Sequence, residues 1–326
     1  MLTSPFTYLE HHGDAVAGTD GRRRLRRRLT GPDAELDFPV LRRLAAVGVT
    51  DYLAEVVRFG EDGDPSRGIG IGYSFATDRA EGFAPDEVTL IEAVLPAASL
   101  AMMTDASHTI ASGLLAAYLG GDAGRRVHTG AVERGSVESI RAVLWFADIR
   151  GFTGIADSSP GLVVIELLDE VFEALAAPLR PRGGQVLKFL GDGILASFPF
   201  EDANRAETCR QALDAASEAM AALELLNAAR RAVEKPTVTV DLALHLGEVL
   251  YGNIGAVDRL DFTVIGPAVN EVSRIETLCE PLGRNVLVSA EFAAGLGDGA
   301  ALQALGRHAL RGVREPREIY APEVRS

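Results

Sequence analysis

Asp148 closes an apolar run, AVLWFAD at 142–148, and is followed at once by IRGFTG. An acid at the end of a buried strand costs desolvation unless it is paired, hydrogen-bonded or bound to a cation. Asp192 stands in a second such setting, LKFLGDGILASF at 187–198, at the tip of a glycine-flanked turn between two apolar segments. Two carboxylates converging at a sheet edge, with no histidine in either motif, suit a hard, oxygen-seeking cation such as magnesium or manganese rather than zinc. The chain then bends from strand toward helix, so the backbone amides of Gly151, Phe152 and Thr153 can face a phosphate chain as a nest at a helix start. Together these groups suit a site that holds a cation against phosphate.

The elements that must position them follow a regular order. RAVLWFAD (141–148) reads as a strand and GLVVIELLDEVFEALAAPL (161–179) as a helix. GQVLKFL (184–190) and ILASFPF (194–200) read as two strands joined through GDG. A long helix over 202–233 and a strand, TVTVDLALHLG (237–247), complete the set. The order βαββαβ is the ferredoxin-like arrangement, an α+β fold whose antiparallel sheet carries helices on one face. In that topology the first strand neighbours the hairpin, which brings Asp148 and Asp192 to one spot.

Length and composition bound the rest. With 326 residues, 47% hydrophobic and 24% charged, the chain is long enough for two domains and reads as globular. A formal net charge of −14 argues against nucleic acid as the main partner. One segment departs from this, GRRRLRRRL at 21–29, with six arginines in seven positions. It reads as a solvated helix face with Leu25 and Leu29 as i, i+4 contacts, or as a surface for anionic lipid or an acidic partner. The apolar stretch IEAVLPAASLAMM (91–103) is too short to span a bilayer, contains Pro96, and reads as a buried or dimer-forming helix. No export signal is visible at the start, so the cytoplasm is the expected compartment, and Cys209 and Cys279 read as reduced packing residues in helical segments.

The pattern changes near residue 135. Before it, FPVLRRLAAVGVTDYLAEVVRF (38–59) passes from helical spacing to strand-like alternation and forms a plausible hairpin with IGIGYSFATD (69–78). A helix opens at Pro85 with Val88, Ile91, Leu95, Ala98 and Met102 along one stripe, continuing less regularly through Ile110, Leu114 and Ala117. YSFATDRAEGFAPDEVTLIEAVLPAASLAM resembles the second half of a GAF domain, a small sensory module of bacterial signalling proteins. That resemblance implies a partial, smaller α+β regulatory domain over 1–105, with an unassigned ligand or partner, and a helical, Gly-rich connector over 106–137.

The region 138–326 resembles the catalytic domain of the class III nucleotidyl cyclases. FADIRGFT, VLKFLGDGILASF, HLGEVLYGNIG and DFTVIGPAVNEVSRIE carry the likeness, in order. The resemblance implies two Mg2+ or Mn2+ ions per active site, held by Asp148 and Asp192 with the carbonyl of Ile149. It implies Asn270 and Arg274 as the residues that act on the transition state, and Lys188 and Thr263 as the purine-selecting pair. One ion would activate the ribose 3′-hydroxyl and the other would hold the triphosphate, from which pyrophosphate leaves. Arg274 supplies a planar, permanently charged donor to the α-phosphate, and Asn270, one helical turn earlier, shares its face. Lys188 donates to adenine N1, and Thr263, where many adenylate cyclases carry Asp, accepts through its hydroxyl. Arg311 aligns loosely with a residue that contacts the triphosphate, whereas His245, in an alternating apolar strand, reads as structural. The expected protein is an adenylate cyclase acting on ATP as a homodimer with composite sites. The alternatives are a guanylate cyclase or a non-catalytic nucleotide-binding or dimerisation module of the same fold.

Overall fold

The computed structural model describes residues 4–11, 16–17, 23–59, 69–256, 258–297 and 301–323. The chain divides into two compact units, 1–111 and 112–326. The first contains α1 (Pro5–His11), β1 (Val16–Ala17), β2 (Arg23–Arg28), α2 (Pro39–Ala46), β3 (Asp51–Phe59) and β4 (Ile69–Thr77). Its four strands form an antiparallel sheet in the order β1-β2-β3-β4, and β3 and β4 are the hairpin that alternation predicts.

The arginine run is a strand, not a helix face. Leu25 lies opposite Ala54 of β3 and packs with Leu9, Phe38 and Leu41 in the core of this unit. An i, i+4 leucine pair fits a period of 2 as well as one of 3.6, and pairing with β3 decides between them. The arginines between are engaged by acids: Arg26 holds the fully buried Asp51 at 2.5 Å, Arg27 pairs with Asp37 at 3.0 Å, and Arg24 with Glu92. Arg24, Arg26 and Arg27 thus each find an acidic partner within their own unit. Arg22 lies outside the described residues.

The next helix, α3 (Pro85–Leu119), is longer than the apolar stretch suggests, and the division between units falls within it. Val88 and Leu95 are buried as expected, with Ser99, but Met102, Ile110 and Leu114 are exposed. At 35 residues and a mean hydropathy of 1.4 over its most apolar window, it is long and apolar enough to cross a membrane by length and composition. The expected shortfall arose from ending the segment at Met103.

The second unit begins beyond Ala111 and contains α4 (Gly121–His128), β5 (Val137–Ile149), α5 (Phe152–Ser158), α6 (Gly161–Ala176), β6 (Gln185–Leu190), β7 (Gly193–Pro199), α7 (Arg205–Ala232) and β8 (Val240–Gly255). Then follow β9 (Leu260–Ile265), α8 (Pro267–Glu276), β10 (Val286–Ser289), α9 (Ala290–Leu296), β11 (Leu302–His308) and β12 (Arg317–Pro322). The sheet runs β11-β12-β10-β8-β5-β7-β6, with β9 paired to β8. Its β8-β5-β7-β6 portion is the ferredoxin-like core, all antiparallel, and β10, parallel to β8, extends it.

Helices cover both faces, not one. Val143, Trp145 and Ala147 of β5 face α6 and α7, while Leu144 on the opposite face packs in the same cluster as Val272 and Ile275 of α8 and Ala123 of α4. The unbroken apolar run in β5 is the sequence mark of this two-sided burial, since a half-solvated strand would alternate. The Gly-rich connector joins this second core: Ala123 is buried in it, and Asn253 Nδ2 donates to the Ala131 carbonyl at 2.6 Å.

Candidate active site

Asp148 is the penultimate residue of β5, on the α8 face, because its neighbours Ala147 and Ile149 point to the opposite core. Asp192 occupies the second position of the two-residue β6–β7 loop, after Gly191 with φ of +68°. Glycine first in such a loop supplies the positive φ that a twisted hairpin needs. Gly193 is required for another reason: a Cβ there would lie 2.8 Å from Asp148 Oδ1 and 3.1 Å from the Ala147 carbonyl. The hairpin thus closes onto Asp148. Burial, and next the charge of Asp192, push the Asp148 carboxyl up to about 6, against some relief from the Ile149 amide.

A third acid lies below this pair. Glu276, the last residue of α8, is 8% exposed, and burial followed by the charges of Asp148 and Asp241 raises it to about 8. Asp241 of β8 stands opposite Asp148 in the ladder and is bound by Arg150, with Nε 2.8 Å from Oδ2. Among the described residues no lysine or arginine pairs with Asp148 or Asp192, and no group of three or more His, Cys, Asp or Glu is arranged to hold an ion. The donor set is therefore two carboxylates at one end of β5, with the Ile149 carbonyl next in sequence. Mutually repelling oxygens with no protein cation between them fit a divalent hard cation.

The turn after β5 has the expected form. Gly151, with φ of +68°, caps α5, so Phe152 and Thr153 open that helix with free amides at its first turn. Thr153 is exposed and Phe152 packs against the core.

The other expected site residues gather on a separate surface. Thr263 lies in β9 opposite Gly252, whereas Asp148 lies opposite Asp241, near the other end of the same strand β8. Asn270 is exposed on α8, and Arg274, one turn on, lies against Gly312, where a Cβ would be 3.6 Å from both terminal nitrogens. Asn270, Arg274, Gly312 and Val313 line an open cleft of about 750 Å³ with Val264 and Pro267. Arg311, exposed, immediately precedes Gly312. No hydrogen bond or ion pair among the described residues joins Asn270 or Arg274 to either Asp148 or Asp192.

Lys188 of β6 forms an ion pair with Asp261 of β9, which sequence reading passed over. The signal was present in DFT, since residues 261 and 263 of a strand share a face. Arg150, Asp241 and Glu276 were also missed, because their link to Asp148 runs through cross-strand register and the end of α8. His245 is 4% exposed and shares a hydrogen bond of 2.9 Å with the Ser289 hydroxyl, which fits a structural histidine; burial lowers its pKa. Cys209 and Cys279 are buried free thiols, but Cys279 sits in the turn after α8 rather than in a helix.

Residues 136–321 match the family model of the adenylate and guanylate cyclase catalytic domain. An adenylate cyclase of Anabaena cylindrica is 32% identical over 169 residues, covering 51% of this chain and 32% of that protein. Adenylate cyclase 1 of Rhizobium meliloti is 31% identical over 178 residues, covering 54% and 26%. The chain thus spans about a third or less of these relatives' length. In fold, it is similar to a bacterial light-regulated adenylyl cyclase, with a TM-score of 0.58 at 24% identity over 71% of this chain and 64% of the other. It is also similar to the adenylyl cyclase CyaB from P. aeruginosa, with a TM-score of 0.53 at 23% identity over 58% and 96%. Since the family model covers more than half of the chain and includes both β5 and α8, this protein belongs to the adenylate and guanylate cyclase catalytic domain family.

Proposed function

We propose that the chain cyclises ATP to 3′,5′-cyclic AMP and pyrophosphate, as a homodimer whose sites each draw on two protomers. The observation that carries this reading is the approach of two carboxylates, Asp148 and Asp192, without a protein cation to neutralise them. The Asn270–Arg274 face stays open on another part of the same unit. Complementary halves that do not meet within a chain are what a two-fold pair can join, because symmetry presents each half to its counterpart.

In the reaction the ribose 3′-oxygen bonds to the α-phosphorus, the bond from that phosphorus to the bridging oxygen breaks, and the hydroxyl proton passes to solvent. Asp148, Asp192 and the Ile149 carbonyl would hold magnesium or manganese, which when bound supplies charge neutralisation at the attacking and leaving oxygens. Arg274 offers fixed positive charge to the α-phosphate as charge develops there, and Asn270 orients the ribose from the same helix face. The amides at the start of α5 face the phosphates. Lys188 donates to adenine N1, a position that in guanine carries a proton and cannot accept. We read 1–105 as a GAF-like regulatory part and 106–137 as the connector to the catalytic region. The resemblance in the 73–102 segment and the β3–β4 hairpin support that reading.

Purified chain given ATP or GTP with manganese or magnesium, with the cyclic product identified chromatographically, tests the reading. Cyclic AMP as the main product is expected. Preferential cyclic GMP would make it a guanylate cyclase, and no cyclic nucleotide with either metal would make it a non-catalytic module.

A further inference from the structure

His245 sits where α8 closes on β8. A Cβ at Gly247, two residues on, would lie 2.5 Å from Ala268 Cβ of α8 and 3.3 Å from His245 Nε2, so glycine lets the helix rest on the strand beside the imidazole. Charged side chains reach this ring from three other elements. Glu271 of α8 lies 4.0 Å from Nε2, Glu291 of α9 lies 3.8 Å from Nδ1, and Arg317 of β12 lies 3.7 Å from each of these acids. On β8 itself, Glu248 is bound by the Ser139 hydroxyl. Glu271 lines both the Asn270–Arg274 cleft and a neighbouring cavity of about 650 Å³, which His245 and Arg317 also line.

Ser289 decides which ring nitrogen carries the hydrogen. It is 1% exposed and caps α9, its Oγ accepting the Phe292 amide at 3.1 Å, and the same oxygen is 2.9 Å from His245 Nδ1. A buried hydroxyl hydrogen needs an acceptor, and Nδ1 is the one within reach among the described residues. Nδ1 therefore accepts, and Nε2 carries its hydrogen toward Glu271. Burial, the largest influence, lowers the imidazole pKa from its ordinary 6.5, against the pull of Glu291 and Glu271, and Arg317 lowers it further. The ring is neutral at pH 7 and charges as pH falls. The added proton goes to Nδ1, where it leaves the Ser289 hydroxyl hydrogen without its acceptor and makes the ring attract Glu271 more strongly. Asn270 adjoins Glu271 and Arg274 follows it by three residues on the same helix, so a pull on Glu271 moves both.

We propose that His245 is a positioning residue: as a neutral imidazole held by Ser289 it sets α8 through Glu271, and its protonation draws Asn270 and Arg274 out of place and slows the chemical step. This rests on the roles of Asn270 and Arg274 in the proposed function. The rival is a buried histidine that only fills space and satisfies Ser289.

The test measures kcat and KM for the preferred nucleotide from pH 5 to 8 at saturating manganese, in wild type, His245→Asn and Glu271→Gln, and follows the His245 imidazole by NMR titration in EDTA. Asparagine keeps an acceptor for Ser289 and cannot charge. The ratio of wild-type to His245→Asn kcat is expected to be level near pH 8 and to fall about tenfold per pH unit below the imidazole pKa, with KM moving little. Titration of Asp148 is common to both proteins and cancels in this ratio. Glu271→Gln, which cuts the link to α8, should give the same fall, and it should also lower the imidazole pKa because the acid favours the charged ring. Should His245→Asn fail to fold, Glu271→Gln carries both readouts. In an active wild type, a flat ratio across the pH range, or an imidazole pKa indifferent to Glu271→Gln, overturns the role of His245 and leaves the cyclase reading intact. A wild type that yields no cyclic nucleotide at any pH removes that reading and the proposal together.

Discussion

Asp148 and Asp241 stand directly opposite each other across the β5–β8 ladder, two like charges on one face, and Arg150 neutralises the one that is 5% exposed. Like charges in register destabilise a sheet, so the Arg150–Asp241 bond is what lets Asp148 stay an acid at this edge. Arg150→Ala should lower stability by about 3 kcal/mol, the cost of leaving a buried carboxylate without its partner. Adding Asp241→Asn should recover most of it. Denaturant unfolding of both variants measures the coupling, and an additive pair of losses would contradict it.

Asp148→Ala and Asp192→Ala should each abolish cyclase turnover with either magnesium or manganese. Neither should lower the melting temperature in EDTA, since each removal relieves repulsion within the acid group. Wild-type turnover in either variant would show that the carboxylates are not the cation's ligands. A protective effect of manganese on wild-type melting, absent in the variants, is the matching expectation for binding to the folded state alone.

Glu276 makes stability depend on pH in a direction opposite to the usual acid. Its folded pKa of about 8 exceeds the ordinary value of 4.5, so between these values the folded state binds more protons than the unfolded state. Stability from this group is complete below about pH 4.5 and is lost as pH rises toward 8. Asp148, raised to about 6, acts in the same sense over a narrower window, from its ordinary 3.8 up to 6. Melting in EDTA from pH 5 to 8.5 should therefore fall with pH in the wild type and fall less in Glu276→Gln, by on the order of 3 kcal/mol at the upper end. Parallel curves for the two proteins would exclude the assignment.

Composite sites predict complementation between inactive chains. An Asp192→Ala chain mixed with an Asn270→Ala chain forms mixed dimers in which one site carries both lesions and the other neither. Random pairing of equal amounts makes half the dimers mixed, so about a quarter of wild-type activity should return. With subunit exchange confirmed by mass labelling, activity that stays at the level of the separate variants would mean that each site lies within one chain.

What could be read without coordinates was whatever a local pattern carries. The acids at the strand end and hairpin tip, the βαββαβ order and the i, i+4 face of Asn270 and Arg274 follow from periodicity and turn chemistry, and the resemblance assigned their roles. The ends of β8 were less visible: expected over 237–247, it runs to Gly255, because Leu250 to Gly255 pair with β9, a strand not anticipated. Local spacing also left Leu25 and Leu29 open to helix or strand, and only pairing with β3 made the arginine run a strand. The tertiary structure alone placed Asp261 on Lys188 and Asp241 opposite Asp148, and it set Glu276 beside the acid pair. These residues lie far apart in the chain, and each contact depends on strand register or on where a helix ends. A one-residue slip in register would turn every such side chain to the other face, which is why sequence spacing cannot specify these partners and packing must.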